Sequence, residues 1–252
     1  MDLSAFSYFL LFIAGLAAGF VDSIAGGGGL ISLPVLLSVG LPPQLALGTN
    51  KLQGSFGTLS ATINFISKGK ASLKENLDGI FYTFIGAVTG AWAVQQVDAG
   101  FVRHLIPFML LFVFIYTLLA KDLGTAPGKA KMGRSLFFMT FGLGLGFYDG
   151  FFGPGTGAFW TGGLLILLGL DMTRATGTTR IMNFVSNVVA LTVFIIGGNV
   201  LYSAGFTMAV GQIIGARIGS GMAIKRGAPF IRPIFLTMVF LTIVRLIYVN
   251  YV

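Results

Sequence analysis

Four ionisable side chains stand inside otherwise apolar stretches and recur at matched places. Asp22 and Asp149 each precede a glycine cluster, Gly26-Gly27-Gly28-Gly29 and Gly153-Pro154-Gly155-Thr156-Gly157. Lys51 and Arg180 stand in Gly48-Thr49-Asn50-Lys51-Leu52-Gln53 and Gly177-Thr178-Thr179-Arg180-Ile181-Met182-Asn183, each about a turn into a long apolar segment. A charge in hydrocarbon is costly, so such groups face a cavity or a partner. Each aspartate either caps the short helix that follows it or pairs with a cation of its own half. The alternative is that it couples to a proton or cation. Asp22 is followed by Ser23 and Asp149 by Gly150, so the two sites are not chemically identical. Lys51 and Arg180 either snorkel to the headgroups or point inward to one anion site. Backbone N–H groups at the starts of the short helices after Gly28 and Gly155 would add donors and a positive dipole end. The candidate anion-binding set is Gly27, Gly28, Thr49, Asn50, Lys51, Gln53, Gly155, Thr156, Thr178, Thr179, Arg180 and Asn183.

The elements that hold these residues are set by composition. Of 252 residues, 55% are hydrophobic and 10% charged, with a mean hydropathy of +0.90. Ordinary soluble domains are about a quarter charged, so lipid is the expected solvent. The absence of cysteine excludes disulfides and thiol chemistry, and a single histidine, His104, disfavours a His-based metal site. No GxSxG, HExxH or GxxxxGK[ST] pattern is present, and no catalytic set or cofactor is implied. The net charge of +8 lies mostly in short loops and does not point to nucleic acid. Met1–Ala5 carries no Lys or Arg, so the first apolar run is expected to be retained as a span.

Apolar runs fall at about 4–21, 44–66, 77–97, 101–120, 134–151, 178–197, 203–222 and 233–251. Two shorter pieces, Gly29–Val39 and Thr156–Leu168, each follow a glycine cluster and are too short to cross a ~30 Å core. They read as broken or re-entrant helices. The expected fold is an all-α polytopic bundle of about eight full spans and two half-helices. Basic residues gather in three loops: Lys68, Lys70 and Lys74; Lys121, Lys129, Lys131 and Arg134; Lys225, Arg226 and Arg232. The positive-inside bias puts these loops in the cytoplasm and both termini outside.

The chain also repeats itself. Laid on Gly142–Gly155, Gly15–Gly28 matches at seven of fourteen positions, Asp22 on Asp149 among them. A shift of 129 then pairs Gly48-Thr49 with Gly177-Thr178, Lys51 with Arg180, Gly86 and Gly90 with Gly215 and Gly219, and Arg103 with Arg232. The first copy starts outside and the second inside, so the halves, 1–121 and 134–252 around a cytoplasmic linker at 122–133, form an inverted-topology repeat. Gly15/Gly19, Gly86/Gly90, Gly142/Gly146 and Gly211/Gly215/Gly219 are read as helix-packing faces. Gln212 and Arg217 have no polar match at Val88 and only Thr83 as a polar counterpart, so any role they have is asymmetric.

In Gly19–Gly29, Ala46–Gln53 and Tyr148–Gly157 the chain resembles the TauE/SafE family of membrane transporters, also called the sulfite exporter family, along essentially its whole length. The resemblance implies a bacterial-type inner-membrane carrier of sulfite, organosulfonates or related sulfur-containing or carboxylate anions. The carry-over rests on Asp22, Gly26–Gly29, Asn50, Lys51, Asp149, Gly153–Gly157 and Arg180; Arg180 stands where the family's second copy is often Lys-like. The leading expectation is a secondary transporter working by alternating access, with export the expected direction and a proton or cation as a possible coupling partner. An anion channel and a non-transport accessory subunit are the alternatives. Oligomeric state is not legible, because glycine faces serve packing within and between chains equally.

Overall fold

The computed structural model describes residues 3–102, 105, 108, 129–227, 229, 230 and 233. Eight α-helices occur among them. They are α1 (Ala5–Ala25), the short α2 (Gly29–Ser38), α3 (Pro43–Ser67) and α4 (Leu77–Gln96), which a 3-10 turn at Lys74–Asn76 introduces. Then come α5 (Arg134–Phe151), the short α6 (Thr156–Ile166), α7 (Met172–Ile196) and α8 (Tyr202–Arg226). Arg103, His104, Lys121 and Arg232 lie outside the described residues, as do nearly all of the expected spans 101–120 and 233–251.

Local chemistry sets the helix ends. Ser4 caps α1 by accepting the Ser7 N–H at 3.1 Å. Pro43 opens α3, where its missing N–H costs nothing. Asp171 caps α7 by accepting the Arg174 N–H at 3.0 Å. That cap starts α7 six residues before the expected apolar run, because a helix begins at its capping residue and not at its first apolar one. Lys51 and Arg180 consequently each occupy the ninth position of a 25-residue helix, about 12 Å in at 1.5 Å per residue. The two breaks are glycine-made. Gly26 ends α1 at φ +83°, and its equivalent Gly153 follows α5 at φ +100°, a left-handed conformation that side chains with a Cβ rarely adopt.

Among the described residues three helices are long and apolar enough to cross a membrane: α1, α4 with its leading turn, and α7. Helices α3 and α8 are as long as α7 but are interrupted by polar residues, including Asn50, Lys51, Gln53, Gln212 and Arg217. Helix α1 packs along α8, and α5 along α4; α3 touches α8, and α7 touches α4; α2 leans on α3, and α6 on α7; α3 and α7 meet each other. The two long pairs approach closely through glycine. A Cβ on Gly15 would lie 2.9 Å from Met208 Cα, and one on Gly146 would lie 3.0 Å from Thr83 Cα. Gly86, Gly90, Gly150, Gly211, Gly215 and Gly219 are equally closed by the facing backbone.

Two apolar clusters bracket a polar layer. One joins Leu11, Leu33, Leu47, Phe194 and Met208. The other joins Ile24, Phe65, Phe138, Trp160 and Met182. In α7, Asn183 and Ser186 fall between Met182 of the second cluster and Ala190 of the first; in α8, Gln212 falls between Met208 and Ala223.

Candidate functional site

The two cations are not free. Lys51 Nζ donates to Asp149 Oδ1 at 2.7 Å, with side-chain exposures of 1% and 5%. Arg180 Nη1 meets Asp22 Oδ2 at 3.0 Å, with exposures of 0% and 17%. Each pair crosses between the halves of the chain: α3 to α5, and α7 to α1. The expectation that an aspartate pairs with the cation of its own half is therefore replaced by a crossed arrangement. Snorkelling is overturned for both cations, since the side chains are buried in the middle of the bundle and do not extend to its surface.

Each cation also sits at a helix C-terminus. Arg180 Nη1 donates to the Asp22 carbonyl, in the last turn of α1, where Gly26 N–H already donates at 2.9 Å. Lys51 Nζ lies where a Cβ on Gly153, just past α5, would be 2.7 Å away. Positive charge is favoured there by the aligned carbonyl dipoles.

The carboxylates differ in their second oxygens. Asp149 Oδ2 accepts the Ser186 hydroxyl, so a side-chain donor occupies each oxygen. Asp22 Oδ1 accepts only the Gly28 N–H, at 3.2 Å, just before the start of α2. Asp149 makes no such bond to α6; there the Thr156 hydroxyl donates to the Gly153 carbonyl at 2.6 Å.

Between the pairs lies a polar cavity of about 30 Å³, room for a water or two. Asp22, Gly26, Gly29, Asn50, Lys51, Gln53, Gly54, Asp149, Gly153, Gly155, Gly157, Asn183, Asn187 and Gln212 line it. The helix breaks cross here back to back: a Cβ on Gly157 would fall 2.5 Å from Gly26 Cα and 2.8 Å from Arg180 Nη2. Arg180 thus stands directly behind Gly157, reached only because that residue has no side chain.

Several polar atoms at this place lack partners. Arg180 Nε and Nη2, Asn183 Oδ1, Gln53 Oε1 and Gln212 Oε1 are buried and unbonded. Asn50 Oδ1 accepts from Ser32 Oγ at 2.6 Å and Gln53 Nε2 at 2.7 Å, which leaves its amide nitrogen as the donor for the cavity. Buried donors are nearly always paired, and a guanidinium with two idle nitrogens is an exception that requires an acceptor.

Of the residues singled out from sequence, the fold gathers Asp22, Asn50, Lys51, Gln53, Asp149, Gly155 and Asn183 on the cavity, with Arg180 behind it. Gly27, Gly28, Thr49, Thr156, Thr178 and Thr179 are not on its wall. Thr49 Oγ1 accepts the Leu201 N–H at 2.9 Å, tying α3 to the α7–α8 turn. Thr179 Oγ1 meets Thr161 Oγ1 at 3.0 Å. Ser32, Ser186 and Asn187 are new. Arg180, Asn183 and Asn187 follow i, i+3, i+7 spacing, a one-face signal that was readable. Gln212 reaches the cavity, whereas Arg217 is exposed and donates to Asn64 Oδ1 at 3.1 Å. Among the described residues no group of three His, Cys, Asp or Glu could hold a metal ion.

Residues 11–246 match the family described as Sulfite exporter TauE/SafE. A "Probable membrane transporter protein" of Haemophilus influenzae is 38% identical over 98% of this chain and 97% of its own length. The Escherichia coli K12 protein YfcA, named likewise, is 40% identical over 95% of this chain and 89% of its own. One from Bacillus subtilis, YdhB, is 27% identical over 84% and 86%. No solved structure matches the chain significantly. With a whole-length family match and relatives at this identity, the chain is a multi-pass membrane protein that belongs to the TauE/SafE family of membrane transporters.

Proposed function

We propose that the protein is a secondary transporter for a small anion, namely sulfite, an organosulfonate or a related sulfur-containing or carboxylate anion. It works by alternating access of two inverted halves around the central cavity. The observation that carries this reading is the buried Arg180, whose Nε and Nη2 have no acceptor beside a polar cavity in an apolar bundle. The matched helix contacts, α1 on α8 as α5 on α4, support the inverted repeat. The break of each half contributes to the cavity wall, as expected where broken helices meet at the midplane.

The protein resides in a bacterial-type inner membrane with its basic loops in the cytoplasm and both termini outside. A monoanion leaving the cell unaccompanied gains about 2.3 kcal/mol per 100 mV of inside-negative potential, which favours export; a proton or cation moving with it removes that drive.

Purified protein screened against sulfur oxyanions, sulfonates and carboxylates should bind one class. In liposomes it should exchange labelled anion across the bilayer in a saturable way. Currents far above about 10³ ions per second would identify a channel instead, as that exceeds ordinary turnover. Liposomes that move none of these anions would favour an accessory subunit. An alkaline phosphatase fusion at Val252 should be active; an inactive one would reverse the orientation.

A further inference from the structure

The anion-transport reading leaves open where the anion goes, because both cations are already paired and the cavity of about 30 Å³ holds only a water or two. A sulfonate or carboxylate group cannot enter without displacing something. Electrostatics selects what moves. The described charges here, Lys51, Asp22 and Asp149 on the cavity wall and Arg180 behind it, sum to zero, and adding an anion leaves one uncompensated negative charge in a low-dielectric interior.

The two carboxylates are unequally held. Asp149 is closed in on both oxygens by Lys51 and Ser186 and is nearly inaccessible. Asp22 keeps 17% of its side chain exposed and has one side-chain partner, Nη1 of a guanidinium whose Nε and Nη2 are idle. The groups facing Asp22 are Arg180 from α7, the Gly28 N–H from α2 and the neutral Gln212 from α8, with Lys51 and Asp149 of α3 and α5 across the cavity. No other described charge lines it.

Resting on the transport reading, we propose that the anion takes the place of Asp22 on Arg180. The released carboxylate binds one proton from solvent, so one proton accompanies each monoanion. Asp22 is the coupling residue, and the Lys51–Asp149 pair stays closed. The charge moved per cycle is then zero. Potential no longer drives the flux, and net direction follows the combined anion and proton gradients.

The test uses methanesulfonate, which has no titratable proton near neutrality, so any proton taken up belongs to the protein. Calorimetric binding to the purified full-length protein, compared in phosphate and Tris buffers, should give an uptake approaching one proton per anion. The Kd should fall toward tenfold for each pH unit lowered, the slope of full one-proton linkage. Asp22→Asn should bind with no proton uptake and a pH-independent Kd. Asp149→Asn leaves Lys51, without its carboxylate, as a spare counter-charge, so where it folds it should bind the anion with reduced proton uptake; where it does not fold, wild type against Asp22→Asn decides. Binding without proton uptake in wild type, or uptake retained in Asp22→Asn, overturns the proposal. No binding of methanesulfonate, sulfite or acetate at any pH overturns the anion reading beneath it.

Discussion

Lys51–Asp149 and Arg180–Asp22 are built from positions that match in sequence at shifts of 127 and 129 residues, yet they are not equivalent ion pairs. The first is sealed, with a hydroxyl on the carboxylate's second oxygen. The second is part-exposed at the carboxylate and unsaturated at the guanidinium. One substitution accounts for much of this. Ser186 stands where the 129-residue shift places Gly57 in the first copy, and the space beside Gly57 is filled by the Gln212 amide. Charges at matched sequence positions thus stand in different surroundings: one pair resists opening, and the other has donors to spare.

The largest effect should come from opening the sealed pair. Lys51→Met leaves Asp149 buried without its cation, and removing one partner of such a pair costs about 3–5 kcal/mol. Thermal melting in detergent should show it, and Lys51→Met with Asp149→Leu should recover most of the loss. A single variant as stable as wild type would erase the distinction between the pairs.

Asp22→Asn should cost less, about 2–3 kcal/mol: it leaves the buried Arg180 without a counter-charge, but the carboxylate is part-exposed and the amide oxygen can still accept from Arg180. If it melts as low as Lys51→Met, Asp22 is structural. Ser186→Ala removes one hydrogen bond and should cost about 1 kcal/mol, by the same melting measurement. Should Ser186→Ala also make the protein take up protons through Asp149, the hydroxyl is what separates the two carboxylates. Gln212→Leu should be the mildest, within about 0.5 kcal/mol, since Oε1 has no partner to lose. A weakened anion affinity in that stable variant would give the amide a place in the site.

Much of the architecture was legible because it is local. Helix breaks at Gly26 and Gly153 follow from glycine at the left-handed position, and the Gly15, Gly146 and Gly215 faces follow from i, i+4 spacing along one helix. Hydropathy puts the start of α7 near 178 because it marks the apolar stretch, while Asp171 marks the helix. The apolar run puts Arg180 about one turn deep, whereas in the helix it lies two turns in. In sequence Ser186 is one hydroxyl in an apolar run; its significance depends on Asp149, 37 residues away.

The sequence alone determined the solvent, the family and the four charged positions. Composition decides what medium a chain can face, and matched motifs survive at fixed spacing. Only the tertiary structure decided that each cation meets the carboxylate of the other half. Spacing along a chain fixes neighbours within a helix, but which faces of α1 and α7, or α3 and α5, come together is set by how glycine-lined pairs pack around the centre. Two cations that could have formed one bare anion site are instead two crossed pairs, because leaving four charges uncompensated in that interior would cost more than the bundle's packing can offset.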